Sequence, residues 1–482
     1  MKKMNAAIAV LVAMTLALTA MTGFALAEDV HAGADTEVFT LWNTDAPALK
    51  TLVEYVEAVT DESSSDYIPP VDRIAAFDMD GTLCAELNPT YLEYYLLARR
   101  ILAYPSYHPD TEMLEFGRML RDHSLDRSYP DGMDLLHANH AAKAYAGMTL
   151  NEFADFVTRQ LVREADGFEN MTYAETFYQP MIEVVEYLQA NGFKCYIVSG
   201  SDRFICRTYV EGVLDIPYEN IIGMDVQLEA TNQGDADGLD YVYSIGDDVV
   251  RTDKLLIKNL KTNKVLQIAQ EIGRQPVLSF GNSSGDVSMH NYVIGNNVYR
   301  SAAFMLIADD DVRDYGNPEK AAGLREKWEA NGYNVISMAN DWKTIYGEDV
   351  VKTGEFHWLD ELAEDRVPAD AEANSDGDLQ YVLYLGTNDR ETGKPVFTQQ
   401  EAIETAREIL VAHFGSYTIQ EAIGGGIDAD GAESQEYTLV VTVNNTDAEA
   451  VHAAADELIE AFHQSSVRIQ ENPAVTELYS GQ

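Results

Sequence analysis

The stretch RIAAFDMDGTL, Arg73 to Leu83, constrains this chain more than any other. Ile74, Ala75, Ala76 and Phe77 are four successive apolar residues without alternation. That is the pattern of a strand buried on both faces, and such strands belong to parallel sheets covered by helices. The run stops at Asp78-Met79-Asp80-Gly81-Thr82. Gly81 lets the chain turn sharply, so two carboxylates spaced i, i+2 are expected at the carboxyl edge of the sheet, where open α/β folds bind ligands. There Asp78 is suited to ligate a hard cation and attack an electrophile, while Asp80 is suited to move a proton. The same residues also read as an ordinary strand-ending turn or a calcium-like loop, so the chemistry needs partners from elsewhere.

Three later stretches offer such partners. KCYIVSGSD, Lys194 to Asp202, reads as a strand ending in Ser199-Gly200-Ser201, where a hydroxyl and backbone N–H groups can meet a phosphate oxygen. A helix is expected from about Asn263, with Lys264 in its first turn. A cation is normally disfavoured there, which hints that this lysine serves a ligand. A strand over Pro276 to Phe280 then runs into Gly281-Asn282-Ser283-Ser284-Gly285-Asp286, a turn rich in oxygen ligands.

In order and spacing these four stretches resemble the motif set of the haloacid dehalogenase superfamily, in particular its phosphoserine-phosphatase-like group, over roughly Leu41 to Gly347. The resemblance implies an α/β fold with a Rossmann-like, doubly wound parallel sheet and a helical cap inserted after the first strand. It implies that Asp78 is the nucleophile, forming an aspartyl-phosphate, and that Asp80 is the general acid and base and also offers a carbonyl to Mg²⁺. It further implies phosphate binding by Ser199, Gly200 and Lys264, with Lys254 and Lys258 as poorer matches to the lysine. The metal would be held by Asp78, Asp80, Asn282 and Asp286. Asn282 stands where the family commonly has Asp, which leaves Asn282 and Asp286 as alternative direct ligands. Glu86 lies near the position of a family acid that holds a substrate amine, one residue short of that spacing.

The remaining sequence sets the frame. A chain of 482 residues exceeds one core, so several domains are expected. Lys2 and Lys3, an apolar run from Ala6 to Ala20 and Ala25-Leu26-Ala27 read as a signal peptide over 1–27, so export without stable membrane insertion after cleavage is expected. Residues 1–27 hold two lysines and no acid, so the formal charge goes from -47 to -49 on their loss. A chain this acidic repels nucleic acid, and a phosphate site on it must be made positive locally. Cys84, Cys195 and Cys206 fall near expected core elements and read as free thiols.

The phosphatase-like region spans 28–360, with a helix near Ala46–Thr60 and a mainly helical insert at about 88–167 expected to act as a lid. Its Tyr91, Tyr94, Tyr95, Tyr104 and Tyr107 read as bundle core or as pocket lining, and His137 and His140 as core or surface histidines. Residues 215–252 suggest a second insert with a small hairpin. The acidic stretch 361–378 reads as a linker, and 379–482 shows a β-α-β-β-α-β order that suggests a ferredoxin-like α+β domain. Gly424-Gly425-Gly426 reads as a hairpin or bulge. The expected function is an exported, Mg²⁺-dependent phosphomonoesterase acting on a small phosphorylated metabolite. The alternatives are a phosphotransferase or phosphonate-cleaving relative, and a non-catalytic surface binding protein.

Overall fold

The computed structural model describes residues 38–86, 90–357, 362, 366, 368, 369 and, with breaks at 415, 428–432, 445 and 447, residues 379–473. The signal-peptide reading and most of the linker lie outside these residues. In chain order the helices are α1 (Pro47–Thr60), α2 (Leu92–Ala103), α3 (Thr111–Asp122), α4 (Met133–Ala144), α5 (Leu150–Leu161), α6 (Gln179–Ala190), α7 (Arg203–Val210), α8 (Thr262–Gln267), α9 (Val287–Ile294), α10 (Pro318–Ala330), α11 (Met338–Asp341), α12 (Gln399–His413) and α13 (Ala448–Ala461). The strands are β1 (Ile74–Phe77), β2 (Phe168–Glu169), β3 (Lys194–Asp202), β4 (Ile221–Ala230), β5 (Val249–Ile257), β6 (Leu278–Gly281), β7 (Ala302–Ile307), β8 (Asn334–Ser337), β9 (Val351–Lys352), β10 (Leu379–Gly386), β11 (Thr418–Ile427), β12 (Glu433–Val443) and β13 (Arg468–Pro473).

The chain divides into two compact units. The first comprises the described residues of Met1–Tyr91, Met148–Gln227 and Leu255–Glu355, the second those of Leu92–Gly147, Leu228–Lys254 and Phe356–Gln482. A seven-stranded sheet runs in the order β5-β4-β3-β1-β6-β7-β8. β1 pairs in parallel with β3 on one side and β6 on the other, and β4, β7 and β8 extend the parallel ladder outward. The order of strand addition reverses beside β1. The carboxyl ends of β1 and its neighbours therefore flank the switch point at which a crevice opens in such sheets.

Residue size explains how β1 sits there. All four of its residues are buried. Phe77 stacks on its register partner Phe280 at 4.5 Å, and Phe280 stacks on Phe304 at 5.0 Å, forming an aromatic row across three strands. Each such pair contributes about 0.5–1.5 kcal/mol beyond its buried area. On the other face Ala76 is small, which admits Ile268 and Met289 from the helices that follow β5 and β6. α1 buries Leu49, Leu52, Val56 and Val59 at helical spacing, and its Tyr55 hydroxyl donates to the carbonyl of Arg300.

Several sequence expectations need adjustment. The strand read over Pro276 to Phe280 runs one or two residues later, as β6. The stretch 215–252 yields no small separate hairpin. Instead β4 and β5 are neighbours in the large sheet, and the loop between them is gathered by Asp247, which accepts from Asn232, Tyr241 and Ser244. The insert read over 88–167 is helical, but it is split: α2–α4 fall in the second unit and α5 in the first. α5 begins with a reciprocal cap between Thr149 and Glu152, and its Phe153, Phe156 and Val157 are buried.

Within the second unit, Tyr94 stacks on His137 at 4.2 Å and Phe116 on His140 at 3.8 Å. Both histidines are thus core residues. Arg100 lies between the rings of Tyr104 and Tyr107, and Arg366 donates to the carbonyls of Ile101 and Tyr104. The C-terminal segment follows the β-α-β-β-α-β order and forms an antiparallel sheet ordered β11-β12-β10-β13. Alternate residues Leu383, Leu385, Leu439, Val441 and Val443 meet Ala402, Ala406, Leu410, Val451 and Leu458 in its core. Gly424 to Gly426 lie within β11, in one arm of the antiparallel β11–β12 hairpin, and their register with β12 is regular, without a bulge. None of the described helices is long and apolar enough to cross a membrane.

Candidate active site

Asp78 follows β1 directly, and its backbone N–H continues the ladder to Phe280. Gly81 then takes φ 77°, which an L side chain rarely adopts. A Cβ on Gly81 would also stand 1.9 Å from Nδ2 of Asn282. The glycine is therefore required twice, for the turn and for the approach of the Asn282 loop.

Lys264 lies in the first turn of α8 and is 1% exposed. Its ammonium donates to Asp78 Oδ1 at 2.5 Å and to Asp286 Oδ1 at 2.7 Å. Asp286 is also 1% exposed, and Asp78 7%. Oδ2 of Asp286 accepts the backbone N–H groups of Asn282 and Ser283 at 3.2 and 3.1 Å. One buried cation thus faces two buried carboxylates, and the charges do not cancel. Burial, reinforced by Asp286 and only partly offset by Lys264, pushes the Asp78 carboxyl up to about 8. Burial also opposes ionisation of Asp286, but Lys264 and its hydrogen bonds hold that carboxyl below the ordinary range.

Asp80 sits two residues on, with Oδ2 accepting from the Ser201 hydroxyl at 2.7 Å. Burial raises its carboxyl, opposed by the Ser201 bond and by the charges of Lys258 and Lys264. Ser201, not Ser199, is the hydroxyl that reaches Asp80. Ser199 is fully buried, its carbonyl accepts from Asn259 at 2.9 Å, and its Oγ accepts the backbone N–H of Ser201 at 3.0 Å. That local bond coincides with a register break in β3 between Val198 and Asp202. The sequence shows Ser201 in the same strand-ending turn as Ser199, the expected phosphate contact, and gives no signal that the Ser201 hydroxyl meets Asp80.

The structure brings Asp78, Asp286 and Lys264 into direct contact and sets Asn282 over Gly81. Lys254 is exposed and Lys258 half-buried. Glu86 accepts from the Tyr91 hydroxyl at 3.3 Å. A residue missed in the sequence is His290, one helical turn beyond Asp286. It is fully buried, its Nδ1 lies 2.7 Å from the Ser279 hydroxyl on β6, and burial lowers its imidazole to about 4, so the ring is neutral. The spacing i, i+4 from Asp286 was the available signal.

The donor set fits a hard divalent cation. Asp78 Oδ2 and the Asn282 amide oxygen accept no hydrogen bond among the described residues, whereas both oxygens of Asp286 are occupied. Oxygen donors of this kind suit Mg²⁺. Among the described residues no three His, Cys, Asp or Glu side chains converge as a metal cluster, so such an ion would also rely on amide or carbonyl oxygens and water.

A family model for haloacid dehalogenase-like hydrolases matches residues 75–290, which contain every group just described. No curated protein matches the chain. Among solved structures, a conserved protein of unknown function from Anaerococcus prevotii is 13% identical, covering 63% of this chain and 94% of its own, with a TM-score of 0.39. A phosphoserine phosphohydrolase-like protein from Francisella tularensis is 16% identical over 55% of this chain and 94% of its own, with a TM-score of 0.28. A phage SAM lyase in its apo state is 20% identical over 22% of this chain and 89% of its own, with a TM-score of 0.17. Likenesses this slight carry no argument about activity. Residues 75–290 are thus similar to haloacid dehalogenase-like hydrolases, over a parallel sheet whose switch point carries the two aspartates.

Proposed function

We propose that this chain is an exported, Mg²⁺-dependent phosphomonoesterase that hydrolyses a small phosphate ester through an aspartyl-phosphate on Asp78. The observation that carries the reading is the Lys264 ammonium held between Asp78 and Asp286, with the Asp80–Ser201 pair beside it. Two buried carboxylates would repel a phosphate dianion. Lys264 offsets part of that repulsion and fixes the Asp78 rotamer through Oδ1, leaving Oδ2 to attack phosphorus.

Asp80 protonates the departing alkoxide and then takes a proton from the water that cleaves the acyl phosphate. The upward push of burial suits it to both roles, because it favours the protonated carboxyl that gives a proton to the leaving oxygen and, once ionised, the uptake of one from water. Ser201 holds the Asp80 oxygen in place. The Asn282 amide oxygen, the Asp80 carbonyl and the Asp78 oxygen that does not attack would hold Mg²⁺, whose charge would supply the neutralisation that Lys264 alone leaves incomplete. Ser199 and Gly200 form the turn proposed to line the phosphate oxygens, and Asp286 anchors Lys264 and the Asn282 loop.

The test is a panel of phosphomonoesters offered to the purified protein with and without Mg²⁺. Turnover should require the metal, and Asp78→Asn should abolish both turnover and trapping by fluoroberyllate while the protein stays folded. A variant with near-normal turnover refutes the covalent route, and full activity in EDTA refutes the metal site.

A further inference from the structure

Arg203, the first residue of α7, has every N–H of its guanidinium occupied, and no step described above uses it. Nε and Nη2 donate to the two carboxylate oxygens of Asp225 on β4 at 2.8 and 2.7 Å. Nη1 and Nη2 donate to the two oxygens of Glu271 at 2.8 and 2.6 Å, and Nη1 also donates to the carbonyl of Ile221 at 3.1 Å. These are two bidentate forks on one planar group, a geometry that lysine cannot reproduce. The Arg203 side chain is 11% exposed, so water screens the pairs only in part. Glu271 lies in a single π-helical turn, Ile268–Ile272, that continues directly from α8, the helix carrying Lys264. Turns of this kind recur at functional sites.

The clamp stands two residues after Ser201. Val198 and Asp202 pair with Ile222 and Met224, so over this span β3 carries two residues more than β4, and Ser199 to Ser201 bulge out of the ladder. A bulge re-aims side chains but gives up ladder bonds, so it keeps one shape only where its surroundings fix it. From within, Ser199 Oγ accepts the Ser201 N–H at 3.0 Å. From outside, β4 closes on it at Gly223, where a Cβ would stand 2.7 Å from the Ser201 carbonyl and from the N and Cα of Arg203. The two forks lock that approach to β4 and to the turn beyond α8. What the bulge aims is the Ser201 hydroxyl, which donates to Asp80 Oδ2 at 2.7 Å.

We propose that Arg203 is a positioning residue for departure of the leaving group: its forks fix the bulge that holds the Ser201 hydroxyl on Asp80, and thereby fix the Asp80 carboxyl beside the departing oxygen. This rests on the phosphatase reading. In the step concerned an Asp78 oxygen bonds to phosphorus, the phosphorus–oxygen ester bond breaks, and the Asp80 proton passes to the departing oxygen. Without the forks the bulge gains other shapes and Ser201 leaves Asp80, while Lys264 keeps its own bonds to Asp78 and Asp286. An alkoxide needs the delivered proton in order to leave, whereas a nitrophenolate leaves without it. Loss of Arg203 therefore acts on esters of alcohols more than on esters of activated phenols.

The test measures kcat/KM, which reports the first phosphoryl transfer, for propyl phosphate and 4-nitrophenyl phosphate with Mg²⁺ on the full chain, Arg203→Gln, Ser201→Ala and the double variant. Arg203→Gln should raise the aryl-to-alkyl ratio by about a hundredfold, the cost of misplacing a reacting group by about 1 Å. A merely structural role lowers both rates alike and leaves the ratio where it was. Ser201→Ala should raise the ratio as well, and the double variant should raise it no further, because both changes act through one bond. An unmoved ratio in folded Arg203→Gln overturns the proposal, and so does a double variant whose ratio is the product of the two single effects. If Arg203→Gln does not fold, Asp225→Asn, which keeps the shape of the acceptor and breaks one bond of one fork, must raise the ratio in its place; an unmoved ratio there overturns the proposal too. Folded wild type that hydrolyses neither ester overturns the phosphatase reading and this proposal with it.

Discussion

Replacing Asp78 by asparagine should remove turnover and at the same time stabilise the metal-free fold. In the native state Asp78 and Asp286 share a single buried ammonium, and burial pushes Asp78 up to about 8. Against an unfolded value of roughly 3.9, that corresponds to about 5 kcal/mol of disfavoured ionisation at pH 8. Asparagine has nearly the same shape and never ionises, so it avoids this penalty but gives up a charged acceptor for Lys264, a bond worth about 1.5–3 kcal/mol. The net gain expected at pH 8 in EDTA is therefore about 2 kcal/mol or more, or at least about 4 °C in melting temperature for a unit of this size.

The sign follows from proton binding. Between pH 4 and about 8 the folded wild type holds a proton on Asp78 that the unfolded chain has released, so its stability falls as pH rises through that window. Asparagine lacks this dependence, and the gap between the proteins should close as pH falls toward roughly 4. Scanning calorimetry of both proteins at pH 5 and pH 8, with EDTA and with Mg²⁺, measures it. Mg²⁺ should narrow the gap by favouring the carboxylate. An asparagine variant that melts at or below wild type at pH 8 in EDTA refutes the argument that burial, rather than the Lys264 pairing, dominates at Asp78.

Lys264→Met leaves two buried carboxylates without their cation, and should cost about 3–5 kcal/mol at pH 8 and less at pH 5, where they protonate; urea unfolding at the two pH values checks this. His290 is neutral in the fold with its imidazole lowered to about 4, so its contribution to stability is full above roughly pH 6.5 and falls between there and about 4. In melting curves across that window His290→Gln should flatten the dependence, and an unchanged slope would remove His290 as its source. Gly81→Ala meets both the φ of 77° and the Asn282 amide, so it should lower the melting temperature and turnover together, read by calorimetry and a phosphate-release assay. A chain ending at residue 361 loses the Arg366 bonds to the carbonyls of Ile101 and Tyr104, whereas one ending after Ala369 keeps them; limited proteolysis should find α2 better protected in the longer protein.

What the sequence determined by itself is the set of elements and the chemistry at their ends. An apolar run without alternation fixed β1 as a buried parallel strand, and Asp-x-Asp-Gly fixed where it stops, because these are properties of a few adjacent residues. The same holds for Lys264 at a helix start and for the alternating strands of the C-terminal sheet. Tertiary structure alone decided which groups meet. The Ser201 hydroxyl meets Asp80 across 121 residues of chain, a partnership that no local pattern encodes. Lys264 joins Asp78 to Asp286 across 186 and 22 residues of chain, and Asn259 meets Ser199 across 60. Periodicity encodes the face that an element buries. Hydrogen-bond partners and burial-driven protonation depend on distances that exist only once the sheet has brought distant strand ends together.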